Sequence, residues 1–400
     1  MRILWLMTRY WPAVGGAELH SQQIIHALAE RGHTIHVVSH WDSNRTDWLR
    51  GTTVFAPRTV RNYADGEQAR VTRLGYGAAR RLRTAVPAIT YYLRQTGAAA
   101  SLARMLETDL LAQCGTGWDI VHGVRVGREP LYVAGQRFAR RLGVPFVFTP
   151  LHHPRWVGPR YRVYLDLYRQ ADALIALTDH ERALYEALGV CPERIHVSGI
   201  GPVLPATADG ARFRAHHNIA GPLILFVGQK YPYKGYEDLL TAAQVVWQRR
   251  PEVVFAFLGP RTATSRRTFT SINDPRIVEL DTVDLQTKGD ALDACDILCV
   301  PSEQESFGGV YTEAWSYGKA VIGCDIPAVR EVIADGTDGI VVPRHSPSAL
   351  AAQLDRLLGD PAYRSRLGES GRSKVAARYT WEHIAAGVER LYDTTTAAAR

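Results

Sequence analysis

The sequence predicts an α/β protein of two doubly wound domains facing a cleft. Three observations carry this. The 400 residues suffice for two domains of ordinary size. Short apolar runs alternate with stretches of helical periodicity along most of the chain, which implies parallel sheets covered on both faces. A Gly-, Pro- and Ala-rich stretch, "GPVLPATADGARFRAHHNIAGP", interrupts the alternation near the middle and reads as a linker.

Before the linker, "RILWLMT" reads as a buried strand, and "GGAELHSQQIIHALAERG" as a helix with apolar positions at Leu19, Ile24, Ile25 and Leu28, stopped by Gly32. "HTIHVVSH", "WDIVHGV", "PFVFTPLHH", "ADALIALT" and "IHVSGIG" continue the strands. "EPLYVAGQRFARRLG" and "DHERALYEALG" supply helices, the latter opened by an acidic cap. After the linker, "LILFVG", "VVFAFLG", "RIVELD", "ILCVPS", "AVIGCD" and "GIVVP" read as strands. "YEDLLTAAQVVWQRR", "KGDALDACD", "YTEAWSYG", "AVREVIADG" and "SPSALAAQLDRLLGD" read as helices, the last capped by Ser346, and the tail "TWEHIAAGVERLYDTT" is amphipathic and helical. The domains are placed at 1–204 and 222–380, with a linker at 205–221. Ligands of such folds bind at the carboxyl ends of the strands.

Composition narrows the function classes. The five cysteines, Cys114, Cys191, Cys295, Cys299 and Cys324, are odd in number and irregularly spaced, as expected of reduced thiols in a cytoplasmic protein. Cys295 and Cys299 are spaced to share a helix face, but no His or Cys set around them suggests zinc. The N-terminal apolar run is too brief for a leader, and no run is long enough for a spanning helix. Net charge is +7. Between Arg58 and Arg94 eight arginines face only Asp65 and Glu67. This segment is a solvated face or a surface for an anionic membrane or acceptor. No nucleic-acid motif accompanies it, and nucleic acid is not expected as a partner.

The chemistry concentrates in "EQESFGGVYTEAW". It follows the strand "ILCVPS" and runs into a helix expected to begin near Val310. Gly308 and Gly309 let backbone N–H groups approach a ligand closely, and a helix start favours a phosphate. Glu305 and Glu313 would repel that phosphate directly, so they are expected to face hydroxyls on either side of it. A nucleotide diphosphate sugar has that pattern. No GxGxxG or GxxxxGK[ST] fingerprint is present, and no DxD loop argues for a metal.

This stretch resembles the E-x7-E motif of retaining GT-B glycosyltransferases, glycosyltransferase family 4 (glycosyl transferases group 1). "YWPAVGGAELH", "RGHTIHVVS", "ADALIALT", "LFVGQKYPYKGYEDLL", "VPSEQESFGGVYTEAW" and "IPAVREVIADGTDGIVVP" are similar to successive family blocks and cover nearly the whole chain. The resemblance implies two Rossmann-like domains. Residues 1–204 form the acceptor side, to which a helix from about 381 to 400 crosses back, and residues 222–380 the donor side. It implies that Glu313 holds the donor ribose, that Glu305 meets hydroxyls of the transferred sugar, and that the amides of Phe307, Gly308, Gly309 and Val310 line the sugar and diphosphate. In "GQKYPYKG", Lys234 matches the family lysine, whereas Gln229 stands where the family has Arg. Adjacent Lys230 is the candidate for the missing charge. Gly15 and Gly16 belong to a loop expected at the diphosphate and acceptor. His152, with His153 as the alternative, is expected near the transferred sugar, and Arg128 is a candidate contact for an anionic acceptor.

The implied activity is transfer of a hexosyl group, with retention, from a GDP- or UDP-linked donor to a hydroxyl of a glycan, lipid or small molecule, as in polysaccharide biosynthesis. No metal or cofactor is implied. The expected location is the cytoplasm, with a peripheral place at the inner face of the membrane. The alternatives are a nucleotide-sugar epimerase on the same architecture and, because of Gln229, a non-catalytic nucleotide-sugar-binding scaffold.

Overall fold

The computed structural model describes residues 1–13, 15–44, 47–152 and 158–399. The chain divides into two compact units, one of residues 1–199 with the C-terminal helix, the other of residues 200–380.

In the first unit β1 (Arg2–Leu6), α1 (Gly16–Glu30), β2 (Thr34–Ser39), β3 (Arg61–Asp65), β4 (Ala69–Arg73), α2 (Ala78–Thr90), α3 (Gln95–Cys114), β5 (Ile120–Val124), α4 (Pro130–Leu142), β6 (Phe146–Thr149), α5 (Arg162–Gln170), β7 (Ala173–Ala176), α6 (Asp179–Ala187) and β8 (Ile195–Val197) follow in order. The sheet runs β3-β4-β2-β1-β5-β6-β7-β8 and is parallel except for the β3–β4 hairpin at its edge. Strand order reverses between β1 and β5. The inner strands are buried on both faces, as parallel strands between two helix layers must be. One face packs Ile24, Ile25 and Leu28 of α1 with Ile384, Val388 and Tyr392. The other packs α3 to α6 around Tyr132, Phe138, Phe148, Tyr164 and Tyr168.

The second unit holds α7 (Gly210–His216), β9 (Leu223–Val227), α8 (Tyr236–Val246), β10 (Val254–Leu258), α9 (Ala263–Thr270), β11 (Ile277–Leu280), α10 (Leu285–Ala294), β12 (Ile297–Val300), α11 (Gly309–Ser316), β13 (Ala320–Cys324), α12 (Pro327–Val332), β14 (Ile340–Val342), α13 (Pro347–Gly359) and α14 (Pro361–Arg378); α15 (Trp381–Ala399) returns to the first unit. The sheet is wholly parallel in the order β11-β10-β9-β12-β13-β14. Its order reverses between β9 and β12, where α/β sheets open a crevice at the carboxyl ends of their strands.

Several expectations change. Residues 205–221 are not a bare linker: α7 lies within them, opened by the Asp209 side chain accepting from Arg212 N–H, and it packs on α10 within the second unit. Arg214 secures it to the Asp296 carboxylate at 2.8 Å. The cap of α6 is the Thr178 side chain rather than Asp179, and Ser346 precedes α13 without a side-chain cap. Cys295 ends α10 while Cys299 lies on β12, so the two do not share a helix face. The sequence reading also passed over α14. Its apolar residues are sparse because it packs through glycines: a Cβ at Gly368 would lie 1.9 Å from Gly318 O, and one at Gly371 2.0 Å from the Trp315 ring.

α15 is fixed to the first unit by apolar and polar contacts. Glu389 accepts from Arg31 Nε at 2.9 Å and meets His33 Nε2 at 2.8 Å. His122 is a core residue between α15 and the sheet, with Nδ1 2.5 Å from Tyr392 OH and Nε2 2.8 Å from Thr149 Oγ1. Burial lowers its pKa to about 3, so it stays neutral.

Candidate active site

Two loops meet at the reversal point of the second sheet. The one after β9 carries Gln229 to Gly235, the one after β12 Ser302 to Gly308. Their contact is built into the backbone. Gly235 has φ 75°, and a Cβ there would stand 2.3 Å from Pro301 O, so a glycine is required for the approach. Tyr233 O accepts the Glu303 N–H at 2.8 Å. The result places Lys234 Nζ 2.5 Å from Glu305 Oε1, both side chains being mostly buried. These two sequence-predicted residues are therefore partners.

The second loop ends at Gly308, which has φ 87° and caps α11; a Cβ there would lie 2.4 Å from the Tyr311 ring. Tyr311 donates to Val300 O at 2.8 Å, which pins α11 to the end of β12. α11 starts at Gly309, one residue ahead of the expected Val310. Among the described residues, the N–H groups of Phe307, Gly308, Gly309 and Val310 have no intramolecular acceptor. They are a row of free donors at a helix start. The Phe307 side chain itself is core, edge-on to Tyr379 at 5.2 Å.

Glu313 lies one turn into α11 and is 8 % exposed. Burial raises its pKa, and the ammonium of Lys288 on α10, 2.7 Å from Oε1, opposes that shift. The sequence reading missed Lys288. Nothing local to "LQTKGDALDA" ties it to Glu313, because the pairing depends on how α10 and α11 pack.

Lys230 does not supply the charge absent at Gln229. Neighbours on an extended chain point apart. Gln229 is exposed, whereas Lys230 is fully buried and donates to Gly259 O and Leu280 O at 2.6 Å each while pairing with Glu279 at 2.6 Å. Burial lowers the Lys230 pKa, with Glu279 acting against it. Arg261 also binds Glu279, at 2.9 Å from Nε. Lys230 thus ties the β9 loop to the ends of β10 and β11.

The other residues singled out in the sequence belong to the first unit. Gly15, extended at φ −169°, precedes α1, which Gly16 begins. A Cβ on Gly15 would lie 2.3 Å from Glu18 Oε2, so its absence makes room for the Arg9–Glu18 pair at 2.5 Å; Gly16 faces open space. His152, beyond β6, is 3 % exposed; its N–H donates to Glu181 at 2.6 Å and its ring lies against Tyr168 and Tyr185. His153 lies outside the described residues. Arg128, beyond β5, donates to Tyr92 OH at 3.1 Å and rests over the Tyr91 and Tyr92 rings. Among the described residues no group of three or more His, Cys, Asp or Glu could hold a metal ion.

Comparison with known proteins decides the family. The "Glycosyl transferases group 1" model matches residues 210–374, and the "Glycosyl transferase 4-like domain" model matches residues 15–201. The D-inositol 3-phosphate glycosyltransferase of Frankia alni is 31 % identical over 322 residues, 69 % of this chain and 74 % of that protein. The chain belongs to the glycosyl transferases group 1 family. The phosphatidyl-myo-inositol mannosyltransferase of Mycobacterium tuberculosis is 34 % identical over 44 % of this glycosyltransferase and 47 % of its own length. Among solved structures, sucrose-phosphate synthase of Thermosynechococcus elongatus aligns at a TM-score of 0.75 and 20 % identity over 99 % of both chains. Anabaena HepE in complex with UDP aligns at 0.71 and 17 %, over 98 % of this chain and all of HepE. These likenesses show the GT-B fold. The protein is a GT-B glycosyltransferase of the family 4 type, and the Lys234–Glu305 and Glu313–Lys288 pairs lie in its second unit.

Proposed function

We propose that the enzyme transfers a hexosyl group, with retention, from a GDP- or UDP-linked sugar to a hydroxyl of a glycan, lipid or small-molecule acceptor. The observation that carries the reading is the Lys234–Glu305 contact beside the free amides that open α11. A diphosphate entering this corner would compete with Glu305 for Lys234. It would then gain one ammonium and up to four amide donors, while Glu305 is released toward neutral hydroxyls. As the bond between sugar and phosphate breaks, negative charge grows on the leaving oxygen, where fixed donors act most strongly. Glu313, held by Lys288, would accept hydrogen bonds from the ribose. No carboxylate is assigned as nucleophile, so the acceptor enters on the face the diphosphate leaves, and a phosphate oxygen takes its proton. Protein cations replace a metal in this scheme.

HepE, a fold relative, was crystallised with UDP-glucose, which supports a nucleoside diphosphate sugar as donor. The sequence relatives are named for D-inositol 3-phosphate and phosphatidyl-myo-inositol, which supports a phosphate-bearing polyol or lipid as acceptor. Bound by the first unit, a lipid acceptor would place the enzyme at the inner face of a membrane, as the arginines between Arg58 and Arg94 would favour.

The test incubates the protein with labelled GDP- and UDP-sugars, with and without acceptors, and follows nucleotide release and the product anomer. Acceptor-dependent release with retained configuration is expected. Release with epimer formation and no acceptor would instead identify an epimerase. Donor binding without turnover across a broad acceptor panel would favour the scaffold role that Gln229 raises.

A further inference from the structure

Helix α2 is amphipathic in an unusual sense: its apolar stripe faces outward. Leu82, Val86 and Ile89, with Leu93 just beyond, follow one another at spacings of four, three and four, and so share one side of the helix. They are 75 %, 69 %, 77 % and 87 % exposed, whereas Thr84 is the only buried residue of α2. A soluble surface carries single apolar residues freely, but a contiguous exposed row marks a partner.

The flanks identify the partner. By helical spacing, Arg83 and Arg94 lie on one side of the stripe and Arg81 on the other. Among the described residues these three pair with no carboxylate. Arg80, by contrast, faces inward to Asp109 of α3 and the Tyr76 ring, anchoring the helix. An apolar stripe bordered by arginines suits the boundary between acyl chains and anionic headgroups. Ile89 and Tyr92 also line a cavity of about 470 Å³ with Trp48, Leu49, Val54 and Arg128.

We propose that α2 seats the first unit on an anionic bilayer, with its apolar stripe among the acyl chains and Arg81, Arg83 and Arg94 at the headgroups. The cavity shared by Ile89 and Tyr92 then opens at headgroup depth, beside a lipid acceptor. This deepens the membrane part of the proposed function, and it is read by vesicle binding alone, so a failure of turnover leaves it standing.

The experiment is co-sedimentation of the full chain with vesicles of phosphatidylcholine alone or containing phosphatidylglycerol. Binding to the anionic vesicles is expected, weakening as salt rises. The Leu82→Ser/Val86→Ser/Ile89→Ser/Leu93→Ser variant should bind on the order of a hundredfold more weakly. Its melting temperature should stay near wild type, because these side chains are already exposed. Arg83→Ala/Arg94→Ala should weaken low-salt binding by roughly tenfold or more. Absence of wild-type binding at low salt, or full binding by the serine variant, overturns the proposal. So does a wild-type dimer in sedimentation equilibrium that the serine substitutions dissociate, since the stripe would then meet a second copy of the chain.

Discussion

The two sheets reverse their strand order in the same way but surround the reversal with different chemistry. In the second unit the loops after β9 and β12 place charges in contact: Lys234 on Glu305, with Glu313 on Lys288 one turn further. In the first unit, the residues beyond β1 and β5 present Gly15 over a mostly buried Arg9–Glu18 pair, and an Arg128 resting on two tyrosines. Charged donors and acceptors near a free helix start suit a diphosphate flanked by hydroxyls. Aromatic walls around a guanidinium suit a partly apolar acceptor with an anionic group. The difference teaches that one architecture can carry unlike chemistry at its strand ends, which the proposed function reads as a division of labour.

Substitutions can break that division, beginning with the largest effect. Lys234→Ala is expected to lower kcat/KM by about 3 kcal/mol, roughly a hundredfold or more, by analogy with losing one donor to a developing oxyanion. Steady-state kinetics checks it, and a wild-type rate would move the charge stabilisation elsewhere. Gly308→Ala should cost on the order of 1–3 kcal/mol in stability, because φ 87° is unfavourable to a side chain and Tyr311 occupies the space. Chemical denaturation measures this directly. Glu313→Gln should weaken binding of the nucleoside diphosphate by about 1–2 kcal/mol, as a charged acceptor becomes a neutral one. Arg128→Ala, as the contrasting change in the first unit, should leave nucleotide affinity within error. An equal loss in the two variants would erase the contrast between the units.

The pH dependence sharpens the same contrast. Burial raises the Glu313 pKa above its ordinary value, so the protonated form is favoured in the folded protein. The stability this contributes is present at low pH and is lost as pH rises through the raised value. In the proposed role of Glu313 the carboxylate accepts from the ribose, so nucleotide affinity should increase across that same interval. Lys288→Met removes the ammonium that opposes the shift and should move the rise in affinity to higher pH. Titrations of both proteins over pH 4–8 would show it, and coincident curves would remove Lys288 from this role.

Much of this was legible in the sequence, for physical reasons. Strands buried on both faces must be apolar throughout, so "LILFVG", "VVFAFLG" and "AVIGCD" announced the second sheet. The helix start at Gly308 and Gly309, with Glu313 one turn in, was legible because a Gly-Gly pair after an apolar strand leaves a local pattern. Other features depend on distant packing. The β3–β4 hairpin is a charged edge with little alternation. α14 hides its contact in glycines, and Lys288 finds Glu313 only once α10 and α11 are packed. Lys230 misled for the opposite reason. Its position in the motif suggested a free charge, whereas its side chain turns inward to Glu279. The arginine-rich segment was visible as charge, but the outward stripe of α2 required knowing which face the fold covers.

The measurement that bears most directly on the account is a crystal structure of the chain with a bound nucleoside diphosphate. The expected result has diphosphate oxygens on the N–H groups of Phe307 to Val310, Lys234 turned from Glu305 to the phosphate, and ribose hydroxyls on Glu313. A nucleotide bound away from α11, with Lys234 still paired to Glu305, would contradict it.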